Sequence, residues 1–280
     1  MQDMNYNIRP LQEAVLRIFK AFAMICGRHG LRYYAAYGTA LGAVRHHGFI
    51  PWDDDLDVAM PREDYNRFVR VVSEELPPDM KFLRGGETFY APVNCGRLLD
   101  VRTGVVDELR AVTKLNLPDP PFVDVFILEG MPEGMRSFRR WQRQNRLWRV
   151  CQLYRYPHSG CHVSFRKRLA ARIVGICLNW RYRKTVDNED MMRVFDELAS
   201  QFEGSKYVVE PNFFRMKEER LLEWPLFETA RMIPFEDTQI RVAANVEEIL
   251  RRYYGDYMQL PSEKDRVPTH VLRMMYEGHV

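Results

Sequence analysis

Four aspartates, Asp53, Asp54, Asp55 and Asp57, fall within five consecutive positions of the chain. Asp55 and Asp57 are two residues apart on a predicted strand, so both carboxylates should project from the same face. Like charges held this close repel unless a cation neutralises them, and hard carboxylate oxygens suit Mg²⁺ or Mn²⁺. We therefore predict Asp55 and Asp57 as catalytic metal ligands. Asp54 is a predicted substrate contact, and for Asp53 and Asp54 a solvated turn is the alternative.

A further carboxylate, Asp124, interrupts the apolar run of residues 122–128. Burying a charge in such a strand is costly unless the charge is paired or binds a metal. We predict Asp124 as a third catalytic residue and metal ligand, with a hydrogen-bonded structural aspartate as the alternative.

Gly38 and Thr39 follow a predicted strand over residues 31–37. A glycine there permits a tight turn, and the helix that follows can direct backbone N–H groups at a phosphate. Arg45 could add a bidentate phosphate contact. A phosphate cradle beside metal-binding carboxylates indicates metal-assisted transfer of a phosphorus group.

The elements that position these residues follow from hydrophobic spacing. Helices are predicted over residues 11–29, from Pro61 onward, over 187–202 and over 246–254. Strands are predicted over residues 31–37, 56–60, 94–103 and 122–128. Helices and strands mix without strict alternation, which predicts an α/β or α+β fold on a small mixed sheet flanked by helices.

Composition excludes several classes of protein. The chain is 46% hydrophobic and has 35 aromatic residues among its 280, so it can build a core and is not disordered. No apolar run approaches the ~20 residues that a membrane span needs, and the start does not resemble a secretory signal. These features predict a protein that is cytoplasmic or bound peripherally to the inner face of the membrane. The five cysteines form no CxxC pair, which favours free thiols.

Charge is distributed unevenly along the chain. Residues 136–184 contain fourteen Lys and Arg and no Asp or Glu. This block could dock on an anionic membrane surface or a lipid-linked acceptor, or it could be a packed helical lobe with solvated arginines. Nucleic acid is disfavoured, since no nucleic-acid motif accompanies the charge. We predict a catalytic core over 1–135, a basic helical insertion over 136–205 and a C-terminal segment over 206–280.

Residues 38–65 resemble the LicD family. The matching stretches are Gly38-Thr39, Leu41-Gly42-Ala43-Val44-Arg45-His46, Gly48-Phe49-Ile50-Pro51-Trp52-Asp53-Asp54-Asp55-Leu56-Asp57, and Arg62 with Asp64-Tyr65. Further matches are Val123-Asp124-Val125-Phe126, Glu129-Gly130-Met131-Pro132, Phe235-Glu236 and Tyr254-Gly255-Asp256-Tyr257. The strand after Phe235-Glu236 departs from the family's frequent pattern, because it lacks proline.

The resemblance implies a nucleotidyltransferase-like fold with Gly38, Thr39, Asp55, Asp57 and Asp124 in the site. It also implies transfer of phosphocholine from CDP-choline to a hydroxyl of a cell-surface glycan or its precursor, with release of CMP. The related fukutin group uses CDP-ribitol. His46 belongs to the family motif and is a predicted phosphate contact. A choline head group is best held by aromatic faces, for which Trp52 is the predicted residue, with a core role as the alternative.

Two other functions share these residues. A nucleotidyltransferase would move NMP from an NTP onto a small molecule. A non-catalytic nucleotide-binding module would bind without turnover.

Overall fold

The computed structural model describes residues 8–84, 95–106, 121–132, 134, 136–141, 197, 202, 204–209, 222–268 and 273–276. Five helices are labelled here: α1 (Arg9–His29), α2 (Tyr37–His46), α3 (Arg62–Glu75), α4 (Pro225–Glu228) and α5 (Val246–Tyr254). The strands are β1 (Tyr34–Ala35), β2 (Asp57–Pro61), β3 (Met80–Leu83), β4 (Cys95–Asp100), β5 (Thr103–Val106), β6 (Phe122–Gly130), β7 (Tyr207–Val209), β8 (Leu222–Glu223), β9 (Ala230–Phe235), β10 (Thr238–Ala243) and β11 (Arg273–Tyr276).

One mixed sheet organises this part of the chain. Its strand order is β1–β2–β6–β4–β3, and β7 and β8 continue it from β6. β2 and β6 run parallel, whereas the other pairs in this sheet are antiparallel. β9 pairs with β10, and β5 pairs with β11, in separate two-stranded sheets. Helices flank the mixed sheet, which confirms the predicted fold class.

One face of the mixed sheet is apolar and packs against α1 and α3. Val58 of β2 and Val125 of β6 are fully buried there in one cluster with Phe22 of α1 and Phe68 of α3. The two phenylalanine rings meet edge to face, 5.2 Å between centroids. α1 ends at Gly30, which adopts the left-handed conformation (φ 58°) as its C-cap. Because a buried phenylalanine typically contributes about 3–5 kcal/mol against alanine, this layer fixes the sheet on its helices.

The opposite face carries the polar residues. Side chains alternate along a strand, so Asp57 and Ala59 of β2 share a face, as do Asp124 and Phe126 of β6. Part of this face is covered by a second cluster, which includes Tyr34, Ala59, Leu128, Phe227, Ala243 and Ile249. The remaining part is where the aspartates lie.

Predicted boundaries around the acidic loop differ from the structure. The strand predicted over residues 31–37 is only Tyr34–Ala35, and α2 already begins at Tyr37, so Gly38 and Thr39 lie in its first turn rather than in a preceding loop. β2 begins at Asp57, so Asp55 precedes the strand. Alternation nevertheless extends back to Asp55, since Leu56 between the two aspartates is fully buried while both aspartates are partly exposed.

Most of the predicted basic lobe and the helix predicted over 187–202 lie outside the described residues, and the three-part domain division stays a prediction. Cys26 and Cys95 are buried free thiols, as predicted for cysteines in general. No helix within the described ranges has the length and apolarity needed to cross a bilayer.

Candidate active site

Backbone hydrogen bonds place Asp57 and Asp124 side by side. The two residues are register partners on the parallel strands β2 and β6. The Asp124 N–H donates to the Leu56 carbonyl at 3.0 Å, and the Ala36 N–H donates to the Asp57 carbonyl at 3.0 Å. Neighbouring strands lie about 4.8 Å apart, so two carboxylates come to the same point on the polar face of the sheet.

Thr39 fixes the start of β2 from within α2. Its hydroxyl oxygen accepts the Asp57 N–H at 2.8 Å, and the residue is 4% exposed. The predicted phosphate-contacting residue is therefore also a structural link between the first turn of α2 and Asp57. A Cβ at Gly38 beside it would lie 2.7 Å from Asp53 Oδ2, so any larger residue there would displace the Asp53 carboxylate.

Asp124 is neutralised by an arginine of the neighbouring strand. Arg97 of β4 donates from Nε and from one terminal nitrogen to the two Asp124 oxygens, at 2.6 and 2.7 Å. The guanidinium carbon also lies 3.7 Å from the centre of the Phe122 ring. This bidentate pair compensates the charge of a buried aspartate, as the apolar surroundings of Asp124 require.

Asp53, Asp54 and Asp55 form the tightest carboxylate group in the described part of the chain. One oxygen from each lies within 4.8 Å of the others, close enough for all three to hold one cation. Asp54 is buried and the other two are partly exposed. Asp55 therefore belongs to this cluster as well as to the predicted set with Asp57 and Asp124.

A buried glutamine supports the acidic loop from behind. Gln12 of α1 is 5% exposed, and its Nε2 donates to the carbonyls of Ile50 and Asp53 at 3.2 and 3.0 Å. The Asp53 N–H in turn donates to the Ile50 carbonyl at 2.9 Å, which closes the turn containing Trp52. The conformation of the loop is thus set partly by the N-terminal helix.

Arg45 and His46 end α2 close to the C-terminal part of the chain. Arg45 donates through Nη1 to the Tyr257 carbonyl at 2.8 Å and through Nε to His46 Nε2 at 2.9 Å. Burial, followed by the nearby charges of Arg45 and His47, lowers the pKa of His46. His46 is consequently neutral near pH 7 and acts as an acceptor. Arg45 thus holds the C-terminal segment, whatever contact it makes with substrate.

Trp52 is partly buried between two side chains. The His46 ring meets it edge to face at 6.3 Å between centroids, and the Arg266 guanidinium carbon lies 5.7 Å from the ring centre. Cations are attracted to the faces of indole rings, and here an arginine of this chain takes that position.

The remaining residues of the long motif are structural. Arg62, at the start of α3, pairs with the buried Glu129 near the end of β6. Asp64 is 2% exposed and accepts from Arg32 Nε at 2.7 Å, and Tyr65 is fully buried in the core. These contacts tie α3 to the sheet that carries the aspartates.

Comparison with known proteins agrees with this geometry. Residues 30–90 match the domain described as LicD/FKTN/FKRP, nucleotidyltransferase domain. The segment that contains the acidic loop is therefore similar to a LicD-family domain. The match spans β1 to β3 and includes α2, the acidic loop and α3, and the predicted resemblance to the LicD family is confirmed.

The similarity extends beyond that domain. The lipopolysaccharide cholinephosphotransferase LicD of Haemophilus influenzae is 28% identical over 285 residues, covering 94% of this chain and 96% of that protein. Two shorter similarities are to uncharacterized rickettsial proteins. One from Rickettsia typhi is 43% identical over 47 residues, or 17% of this chain and 15% of that protein. One from Rickettsia prowazekii is 51% identical over 37 residues, or 13% and 14% respectively.

Spacing arguments miss two residues that the structure adds to the site. Arg97 is the one arginine of β4 and is followed by two leucines, which is the one local sign that it faces a buried charge. Gln12 gives no local sign, because its partners lie 38 and 41 residues away.

Proposed function

We propose that this protein is an enzyme that transfers phosphocholine from CDP-choline to a hydroxyl of a cell-surface glycan or glycan precursor, with CMP as the leaving product. The observation that carries the proposal is the similarity to a lipopolysaccharide cholinephosphotransferase along nearly the whole of both chains. Lipopolysaccharide is accordingly the proposed acceptor class.

The reaction is an in-line displacement at phosphorus. A new bond forms from the acceptor oxygen to the phosphorus that carries choline, and the bond from that phosphorus to the CMP oxygen breaks. The acceptor hydroxyl loses its proton to a carboxylate. We assign that role to Asp57, which is partly exposed at the start of β2, whereas Asp124 is buried and pairs with Arg97. Asp124 then helps to orient the reacting groups.

The donor set fits a hard divalent cation, Mg²⁺ or Mn²⁺. Three carboxylates with oxygens within 4.8 Å of one another, all in one loop, are the oxygen-rich arrangement that these ions prefer. When bound, such an ion neutralises charge on the diphosphate and on the leaving CMP. Asp55 is the proposed ligand common to the loop cluster and to the set with Asp57 and Asp124.

Phosphate oxygens are proposed to bind at the start of α2. The N-cap residue, Ala36, has no polar side chain to cap the first turn, which contains Gly38 and Thr39. Helix N-termini favour anions through their N–H groups and dipole. The other proposed substrate contacts near this site are Arg45, His46, Trp52 and Asp54.

The test is donor turnover followed by ³¹P NMR. Purified protein with Mg²⁺ would be offered CDP-choline, CDP-ethanolamine, CDP-ribitol, CDP-glycerol and CTP, with Asp57→Asn as the control. We expect Mg²⁺-dependent CMP release from CDP-choline, abolished in the variant. Pyrophosphate release from CTP would instead identify a nucleotidyltransferase. CMP release that survives Asp57→Asn would overturn the assignment of Asp57.

A further inference from the structure

A cavity adjoins Asp57 on the polar face of the sheet. Its volume is about 40 Å³, enough for about three water molecules. Four aromatic side chains contribute to its wall: Tyr34, Tyr37, Phe227 and Tyr253. Alanines and aliphatic residues make up the rest, and no charged residue of the described chain lines it.

Two lining residues of the cavity are neighbours of Asp57 in the candidate active site. Ala36 lines it and donates its N–H to the Asp57 carbonyl at 3.0 Å. Ala59 also lines it, two residues beyond Asp57 on the same face of β2, which is about 7 Å along the strand. A group joined to a phosphorus near Asp57 by a two-carbon linker can therefore reach this space.

Tyr37 is held in the cavity wall at a conformational cost. It has φ 45°, a left-handed conformation that disfavours a side chain by about 1–2 kcal/mol. Its ring packs edge to face on Phe126, 5.4 Å between centroids, and lies tilted by 40° against Tyr253 at 6.0 Å. Backbone strain of this kind is common at residues that form functional sites.

We infer that this cavity binds the trimethylammonium end of the donor, so that the enzyme selects choline over ethanolamine. The inference rests on the proposed function. Aromatic walls attract a quaternary ammonium, whose methyl groups need no hydrogen-bond acceptors. A primary ammonium carries three N–H donors, and the side chains of this lining offer only tyrosine hydroxyls as acceptors. The polar edges of a cytosine ring would also lose hydrogen bonds in this cavity, so the cavity disfavours the base of the donor.

Tyr37 and Tyr253 are the residues to alter. Tyr34 already has the Arg241 guanidinium 5.8 Å from its ring centre, and its hydroxyl donates to the Phe227 carbonyl. Alanine at position 37 or 253 removes a ring, whereas phenylalanine keeps it. Ala59→Val fills the cavity from the sheet side and provides a variant that removes no aromatic contact.

The experiment measures binding of CDP-choline, CDP-ethanolamine and CMP by calorimetry, and of tetramethylammonium chloride by saturation-transfer NMR. Wild type should bind CDP-choline about ten times more tightly than CDP-ethanolamine. The ratio of the affinities for CDP-choline and CDP-ethanolamine should approach one in Tyr37→Ala, Tyr253→Ala and Ala59→Val. The wild-type ratio should persist in Tyr37→Phe and Tyr253→Phe. CMP affinity should be the same throughout. Tetramethylammonium should show saturation transfer only with the proteins that keep the selectivity.

The outcomes separate this inference from the proposed function. A selectivity ratio near one in wild type, or a ratio unaffected by the alanine and valine variants, overturns the cavity assignment while CDP-alcohol binding still supports phospho-alcohol transfer. Absence of binding by every CDP-alcohol counts against the proposed function. In that case the tetramethylammonium signal still decides the cavity: loss of the signal in Tyr37→Ala supports the assignment, and an equal signal in wild type and variant refutes it.

Discussion

Replacing Thr39 by valine tests how the start of α2 positions Asp57. Valine has nearly the same shape and is also β-branched, so the change removes the hydroxyl oxygen that accepts the Asp57 N–H at 2.8 Å and little else. An unpaired, partly buried N–H costs about 1–2 kcal/mol. In a protein of this size that corresponds to a fall in the unfolding midpoint of about 2–8 °C.

Turnover should respond more than donor binding does. If β2 shifts at its first residue, the Asp57 carboxylate moves relative to phosphorus, and we expect kcat to fall about tenfold or more. Thr39→Ser keeps the hydroxyl and is the matched control. The assays are thermal unfolding and CMP release from CDP-choline. The reasoning is refuted if valine matches wild type in both assays, or if serine is as damaging as valine.

Three further predictions concern the elements around the site. Gln12→Leu should weaken Mn²⁺ binding about tenfold, measured by electron paramagnetic resonance, because the loop at Asp53 loses a buried support; unchanged affinity with lower stability would mean a purely structural role. Gly42→Ala should lower the free energy of unfolding despite alanine's better helix propensity, because its Cβ would lie 2.5 Å from the Gly48 carbonyl oxygen. Gly27→Ala, whose Cβ meets nothing within 4 Å, should raise the free energy of unfolding by up to about 1 kcal/mol. The folded-state pKa of His46 is below its ordinary 6.5. The stabilising contribution of neutral His46 should therefore be present above pH 6.5 and be lost as pH falls through the folded-state pKa. His46→Gln should remove that part of the pH dependence of the unfolding midpoint.

Local patterns were sufficient to predict several of the described elements but not all of their ends. The apolar spacing of α1, the strand around Asp124 and the glycine that follows α5 predict structure within a few residues of what is observed. The start of α2 differs, because Tyr37 takes a left-handed backbone conformation that no propensity favours. The tertiary packing around its ring on Phe126 accompanies that conformation, and spacing along the chain does not reveal such packing.

The site was predictable to the extent that its chemistry is local. Asp124 was expected as a third carboxylate beside Asp55 and Asp57, and the parallel register of β2 and β6 makes it a neighbour of Asp57. The pairing of Asp124 with Arg97 depends on which strands become adjacent, and the support from Gln12 depends on a helix far away in sequence. Both contacts depend on the topology of the fold, which residue spacing in a single sequence does not reveal.

The proposal of phosphocholine transfer is tested most directly by following the choline label itself. The protein would be incubated with Mg²⁺, CDP-choline labelled in choline and lipopolysaccharide that lacks phosphocholine, with Asp57→Asn alongside. The account predicts label in the lipopolysaccharide together with an equal amount of CMP, and neither in the variant. Label that stays in CDP-choline while wild type turns over CTP, or label transfer that is equal in the variant, would contradict it.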